Sequence, residues 1–245
     1  MTSREQTGFW PKSHASDAHV GWKDRAMFAL FAPITAPFLL KSLRGGSKAE
    51  KQRLLDRLGL PQDALPNLGS WKADTGLLHL IVDTILERQP QRVVEFGCGA
   101  SSLIIAKALE KAGGGHLTSY DQHAEFVAQT SDWLKGHGLD AHIRHAPLAP
   151  APGGWPGLFY DTGAIEPGVD LMLIDGPPWT IHPMTRGAAE TLFSCLAPGA
   201  TILLDDASRP GERLIARKWK AMHPDIAFHL WKGGEKGTLI GRKSG

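Results

Sequence analysis

From residue 92 onward, short apolar runs alternate with longer amphipathic stretches. Runs of four to six residues bounded by Gly, Pro, Asp or Asn read as buried strands, and those with apolar positions three and four apart read as helices. This pattern predicts strands over 92–96, 117–120, 141–144, 169–174 and 200–204. Helices are predicted between them, over 101–112, 124–136, 184–196 and 211–222. Such alternation implies a mostly parallel sheet with helices on both faces. The last two strands, 226–231 and 238–241, are joined only by Gly233 to Gly237. That link is too short for a crossover helix, so they should form an antiparallel hairpin at the sheet edge.

The first part of the chain has a different texture. A helix over 48–58 places Leu54, Leu55 and Leu58 on one face and stops at Gly59 and Pro61. Another, over 75–89, carries Leu77, Leu78, Ile81, Ile85 and Leu86 at helical spacing and ends before Pro90. Residues 26–40 carry no charge, but fall short of the ~20 residues of a spanning helix. Pro33 and Pro37 are expected to break this run. No transmembrane segment is expected. The run reads as a covered segment, with a lid over an apolar substrate or peripheral membrane contact as alternatives. The chain thus divides into an N-terminal extension, 1–70, acting as substrate cover or interface, and a domain over 71–245.

Composition narrows the field. The chain has 245 residues, with 27 basic against 25 acidic side chains and a net charge of +2. No basic cluster advertises nucleic acid, so none is expected as a partner. Two cysteines, Cys98 and Cys195, exclude a disulfide framework and a cysteine-built zinc site. The start shows no basic-then-apolar leader, which makes the cytoplasm the expected compartment. The 28 glycines and 17 prolines exceed ordinary usage. Many lie in 147–168 beside Trp155, Phe159 and Tyr160, a stretch expected to be a lid over an acceptor. Trp10, Trp22 and Trp71 make the N-terminal extension the other candidate cover.

The segment from Val93 to Ser101 carries the most chemistry. A strand runs into Gly97-Cys98-Gly99 and then a helix. Glycines there permit backbone angles closed to other residues and let a ligand approach the main chain. About twenty residues on, a second strand ends at Asp121, where a carboxylate can hold ribose hydroxyls. Glu95, inside the first strand end, would repel a diphosphate and welcome an ammonium group. Ser102 stands where dinucleotide proteins carry their third glycine.

On these residues the chain resembles the class I S-adenosylmethionine-dependent methyltransferases, within them the small-molecule O-methyltransferases with an Ile-Asp-Gly-Pro-Pro motif. Glu95 to Gly99 matches their acidic-apolar-G-x-G motif, Ile174 to Pro178 the second motif, and Leu204 to Ala207 a late Leu-Asp-Asp-Ala segment. The resemblance implies a Rossmann-like, seven-stranded α/β sheet with an antiparallel C-terminal hairpin. It implies cofactor contacts from Glu95 to the methionine amino end and from Gly97, Gly99 and Ser101 around the sulfonium side. Asp121 would hold the ribose, and Gln122 the adenine edge. Ala146 and Asp175 would complete the pocket, although His145-Ala146 stands where many members carry an acid.

The acceptor end rests on strand tips. The fourth strand ends at Asp175 and the fifth at Asp205-Asp206, so three carboxylates should meet at one rim. Such oxygen ligands suit Mg²⁺ or another hard divalent cation, which would lower the pKa of an acceptor hydroxyl. The alternative is that Asp205 and Asp206 cap the next helix or pair with Arg209 or Arg213. Asp175 and His182 are the candidate bases, and Trp179 a candidate pocket wall. Gly176 separates Asp175 from the two prolines, which weakens any reading as a nitrogen methyltransferase. An NAD(P) oxidoreductase, an RNA or protein methyltransferase, and a non-catalytic cofactor-binding protein remain open beside O-methylation of a small hydroxylated metabolite or sugar.

Overall fold

The computed structural model describes residues 20–245. In chain order its strands are β1 (Arg92–Phe96), β2 (His116–Asp121), β3 (His142–His145), β4 (Leu148–Pro150), β5 (Leu158–Tyr160), β6 (Val169–Ile174), β7 (Leu196–Leu204), β8 (Ile226–Trp231) and β9 (Thr238–Lys243). Seven of them form one sheet in the order β3-β2-β1-β6-β7-β9-β8. The pairs from β3 to β7 are parallel, and β9 runs antiparallel between β7 and β8. The expected terminal hairpin is therefore present, with β9 inserted beside β7. The chain leaves β1 in one direction to build β2 and β3, then returns to β6 on the other side. That reversal opens a crevice at the carboxyl ends of β1 and β6.

Alternation along each strand explains the two cores. Val93, Leu171, Leu173, Leu203 and Ile240 face one way, into a layer with α2 (Lys48–Leu58), α3 (Thr75–Arg88) and α4 (Ala100–Lys111). Their sequence neighbours Val94, Met172, Ile202, Leu204 and Leu239 face the other way, onto Phe193, Trp219 and the aromatic residues of 155–160. Adjacent strand residues point to opposite sides of a sheet, so continuous apolar runs mean burial on both.

The helices start where side chains supply caps. Ser47 and Glu50 form a reciprocal capping box on α2, and Gly59 closes it at φ 66°. Asp74 caps α3 by accepting from Leu77 N at 2.7 Å. The leucines of α2 join the same core as Leu77, Leu78 and Ile81.

Three expectations change. Residues 26–40 do not break at the prolines: α1 (Trp22–Ser42) runs through Pro33 and Pro37. Each proline deprives the carbonyl four residues earlier of its helical partner. Those carbonyls belong to Ala29 and Pro33, both exposed, where water can satisfy them. Among the described residues no helix is long and apolar enough to cross a membrane. Residues 185–195 form a 3₁₀ helix rather than an α-helix, a difference that i, i+3 apolar spacing does not reveal. Residues 147–168 are no simple loop: β4 and β5 pair there, and Trp155, Phe159 and Tyr160 are buried in the second core. The helices α5 (Ala124–Gly136) and α6 (Pro210–Met222) complete the layers.

Candidate functional site

The strand tips are tied together by main-chain bonds that continue the sheet past its last residues. Gly97 N donates to Tyr120 O, Asp175 N to Phe96 O and Asp205 N to Ile174 O, at 2.8, 2.9 and 3.0 Å. Ala146 N likewise donates to Asp121 O at 2.8 Å. Gly97, Asp121, Ala146, Asp175 and Asp205 are thereby set along one edge, as the strand pattern predicted.

At the β1 tip, Glu95 is fully buried. Its Oε2 accepts from Ser102 Oγ at 2.5 Å and from Ser119 Oγ, whereas Oε1 has no hydrogen-bond partner. Burial pushes the carboxyl up to about 7, against the hydroxyls of Ser101, Ser102 and Ser119. A buried carboxylate oxygen without a donor is a costly group that a cationic ligand would satisfy. Gly97 (φ 94°) and Gly99 (φ 146°) turn the chain from β1 into α4. A side chain at Gly97 would press on the Gly176 backbone at 3.1 Å, so this turn closes only with glycine.

Asp121 ends β2. Its Oδ1 accepts from His123 N at 2.9 Å and Oδ2 from Cys98 N at 3.3 Å, which fixes the carboxylate beside the glycine turn. Burial raises it to about 6, opposed by the His123 N–H and nearby charge. Gln122 follows it, with a buried Oε1 lacking a partner. Glu95, Gly97, Gly99, Ser101, Asp121 and Gln122 thus lie at the tips of β1 and β2 and the start of α4, with unmet acceptors on Glu95 and Gln122 that could hold a polar ligand.

The three acids predicted at the acceptor end do come together, with ligand oxygens of Asp175, Asp205 and Asp206 within 4.8 Å of one another. They are not alone. Arg186 lies 3.0 Å from Asp206 and 3.3 Å from Asp175. Arg209 is 2.8 Å from Asp206, and Lys236 is 3.3 Å from Asp205 and 3.6 Å from Asp206. All three cations are buried. Despite burial, which would raise it, Asp206 is held down to about 2 by Arg209, Lys236 and Arg186. Of the alternative pairings, the one with Arg209 is present, while Arg213 is exposed. Asp205 Oδ1 and Asp206 Oδ1 accept no hydrogen bond, yet the space around the three acids is taken by side-chain cations, which a divalent ion would have to displace.

The candidate bases separate. Asp175 keeps 12% of its side chain exposed, against 1% and 3% for Asp205 and Asp206, so it is the most accessible of the three. His182 is buried, and its Nδ1 accepts from Met184 N at 3.0 Å. Burial also lowers its affinity for a proton. The neutral ring therefore carries its proton on Nε2, and its lone pair is engaged. With Nδ1 engaged in this way, Asp175 is the more accessible of the two candidate bases.

Trp179 is buried and meets Phe28 of α1 at 4.7 Å between ring centroids. It lines a cleft with Leu39, Ser42, Leu43, Ser70, Trp71 and Arg209. Of the aromatic residues expected to cover the site, Trp71 lines this cleft, Trp22 is 75% exposed, and Trp10 lies outside the described residues. Sequence reasoning missed Arg186 and Lys236. It also missed the position of Tyr160, whose hydroxyl lies against Gly176, 2.0 Å from where a side chain there would begin.

Comparison with known proteins agrees with this geometry. A family model described as a methyltransferase domain matches residues 94–207. A comparison with curated proteins gave no match. Among solved structures, a Podospora anserina methyltransferase bound to SAH has a TM-score of 0.55 at 13% identity, covering 93% of this chain and 99% of that one. An O-methyltransferase from Bacillus cereus in complex with SAH gives 0.54 at 13%, covering 89% and 99%. A Geobacter sulfurreducens methyltransferase gives 0.54 at 17%, covering 80% and 88%. Residues 94–207 thus match a methyltransferase domain, and the fold as a whole is the one seen in methyltransferases solved with SAH bound.

Proposed function

We propose that this chain transfers a methyl group from S-adenosylmethionine to a hydroxyl of a small molecule. The observation that carries the reading is the pair of buried carboxylates, Glu95 with its unpartnered Oε1 and Asp121 held by two backbone N–H groups, on either side of the Gly97–Gly99 turn. Glu95 suits the ammonium of the methionine end, and Asp121 the ribose hydroxyls. When bound, S-adenosylmethionine supplies an electrophilic methyl group on sulfur and leaves as the neutral thioether.

The chain's own residues then have two tasks. Transfer is an in-line displacement, so most of the gain comes from alignment of acceptor oxygen and methyl carbon. In this reading the cleft lined by Trp179, Trp71 and Leu39 of α1 takes the acceptor, which favours a molecule with an apolar or ring-shaped body. Asp175 takes the hydroxyl proton as the C–O bond forms. Burial raises its affinity for that proton, and Arg186, which also donates to the Asp175 carbonyl, fixes its orientation. Oxygen as the accepting atom is further supported by the Bacillus cereus protein of similar fold, which is an O-methyltransferase.

Calorimetry with S-adenosylmethionine and with NAD, followed by a methyl-transfer screen over hydroxylated metabolites and sugars with product mass analysis, tests this. Binding of the first ligand alone and a product one methylene heavier are expected. Binding of NAD in its place, or methylation only of nitrogen or of macromolecules, would overturn the reading.

A further inference from the structure

The acid cluster at the tips of β6 and β7 has a counter-charge whose origin lies far away in sequence. Lys236 sits in the turn between β8 and β9, and its backbone is fixed on both sides. Its N–H donates to Asp74 Oδ2 at 3.0 Å, and its carbonyl accepts from Ser208 N at 3.1 Å. The next residue, Gly237, accepts from Ala207 N at 2.9 Å. The turn is also pressed onto the start of α3, where a side chain on Gly76 would come within 2.4 Å of Gly234 Cα. With its main chain held this way, Lys236 has a 2% exposed side chain whose Nζ lies between Asp205 and Asp206.

The ammonium thus bridges the two carboxylates from within the cluster. Oxygen-ligated divalent cations need several oxygens within ~2.0–2.6 Å and an excess of negative charge around them. Here the Asp175, Asp205 and Asp206 carboxyls, with Glu212 in the same buried region, already face three side-chain cations, Arg186, Arg209 and Lys236. Arg186 contacts the Asp175 and Asp206 carboxylates and also donates to the Pro177 and Asp205 carbonyls. Asp206 adopts φ 59°, a left-handed backbone unusual for a non-glycine residue, which the surrounding ion pairs and the Arg209 N to Asp206 O bond stabilise. Glu212 packs into the same buried region. Its carboxyl is raised by burial, opposed by Arg209 and Arg186.

We infer that in this chain Lys236, with Arg186 and Arg209, takes the place of a divalent ion at the Asp175–Asp205–Asp206 cluster, so that methyl transfer proceeds without a metal. The inference rests on the proposed methyl transfer only for its turnover arm. Breaking such a buried pair on one side leaves an uncompensated charge, whereas removing both partners does not. Insertion of a divalent cation would require expulsion of buried, hydrogen-bonded cations first.

The test uses the full chain and Mn²⁺ alone as probe. Followed by electron paramagnetic resonance, Mn²⁺ should show no saturable site tighter than about 1 mM, the weak limit of built oxygen-ligand sites. The thermal midpoint should be the same in chelator and in Mg²⁺. Lys236→Met should lower that midpoint, and the double variant Lys236→Met/Asp205→Asn should recover most of the loss. If the single variant does not fold, a folded double variant still supports the pairing. A double variant no better than the single one overturns it. So does saturable Mn²⁺ binding that Asp205→Asn abolishes. In the turnover arm, full activity in chelator is expected, and loss restored by Mg²⁺ is the contrary result. Failure to bind S-adenosylmethionine would sink the proposed function while leaving the Mn²⁺ and stability results intact.

Discussion

Asp74 bonds with each of its carboxylate oxygens to a different part of the chain: Oδ1 accepts from Leu77 N at 2.7 Å, and Oδ2 from Lys236 N at 3.0 Å, across 162 residues. One side chain thus starts α3 and anchors the β8–β9 turn. Asp74→Ala removes a cap and strands a buried N–H, a combined cost of about 2–4 kcal/mol. Asp74→Asn, which keeps one acceptor, should cost less. Denaturant midpoints of the two variants check this, and equal losses for both would argue against the double role.

Cofactor affinity should depend on pH through Glu95. Its carboxyl is raised by burial to about 7, so below that pH the ligand-free protein holds a proton that must leave before an ammonium can pair. Affinity for S-adenosylmethionine is therefore expected to fall by up to about tenfold per pH unit on the acid side of 7. Above about pH 8 the ligand's own amine loses its charge, which places the optimum between these limits. Calorimetry from acid to mildly alkaline pH reads the curve. Glu95→Gln should weaken binding and lose the acid limb.

Asp121→Ala should weaken S-adenosylmethionine binding by at least about tenfold, since hydrogen bonds to a charged group contribute ~1.5–3 kcal/mol each. Its contacts with Cys98 N and His123 N also disappear, so the glycine turn should loosen. Unchanged calorimetric affinity would remove Asp121 from the ribose role.

The β4–β5 hairpin is expected to be protected before any ligand arrives. Trp155 is buried, donates to Glu190 Oε1 at 3.1 Å and lies flat against Gly187, where a side chain would come within 2.1 Å of its ring. Hydrogen exchange across 158–160 should be slow in the ligand-free protein. Trp155→Ala should cost about 3–5 kcal/mol of stability, the usual range for an emptied aromatic site. Fast exchange that slows only with cofactor would restore the lid expected from the sequence.

The strands and the cofactor turn were readable because they are properties of neighbours in sequence. A period of two, a G-x-G after an apolar run and an acid at the next strand tip need no knowledge of distant residues. The ion cluster was only half readable. Topology alone put Asp175 beside Asp205 and Asp206, but nothing in Gly233 to Gly237 announces that Lys236 points inward. That follows from backbone bonds to Asp74 and Ser208. The surroundings of His182 were hidden for a similar reason, since its Nδ1 is engaged by one N–H from Met184. In α1, the local cost of two prolines predicts a break that packing overrides. Burial of Thr35 and Ser42, and the Phe28–Trp179 contact, hold the helix through them.

That helix has a consequence of its own. Its inner side brings Phe28 to Trp179, while Trp22, Leu30, Ile34 and Leu40 stand in solvent on the other, 53–75% exposed. A helix with its side chains is only about 10–12 Å thick. The wall that an acceptor would meet and the outer skin of the protein are therefore the two sides of a single rod. Phe28 and Leu30 are two residues apart, so an insertion or deletion within α1 would turn both sides at once. Selection on the surface and selection on the pocket act here on the same twenty-one residues.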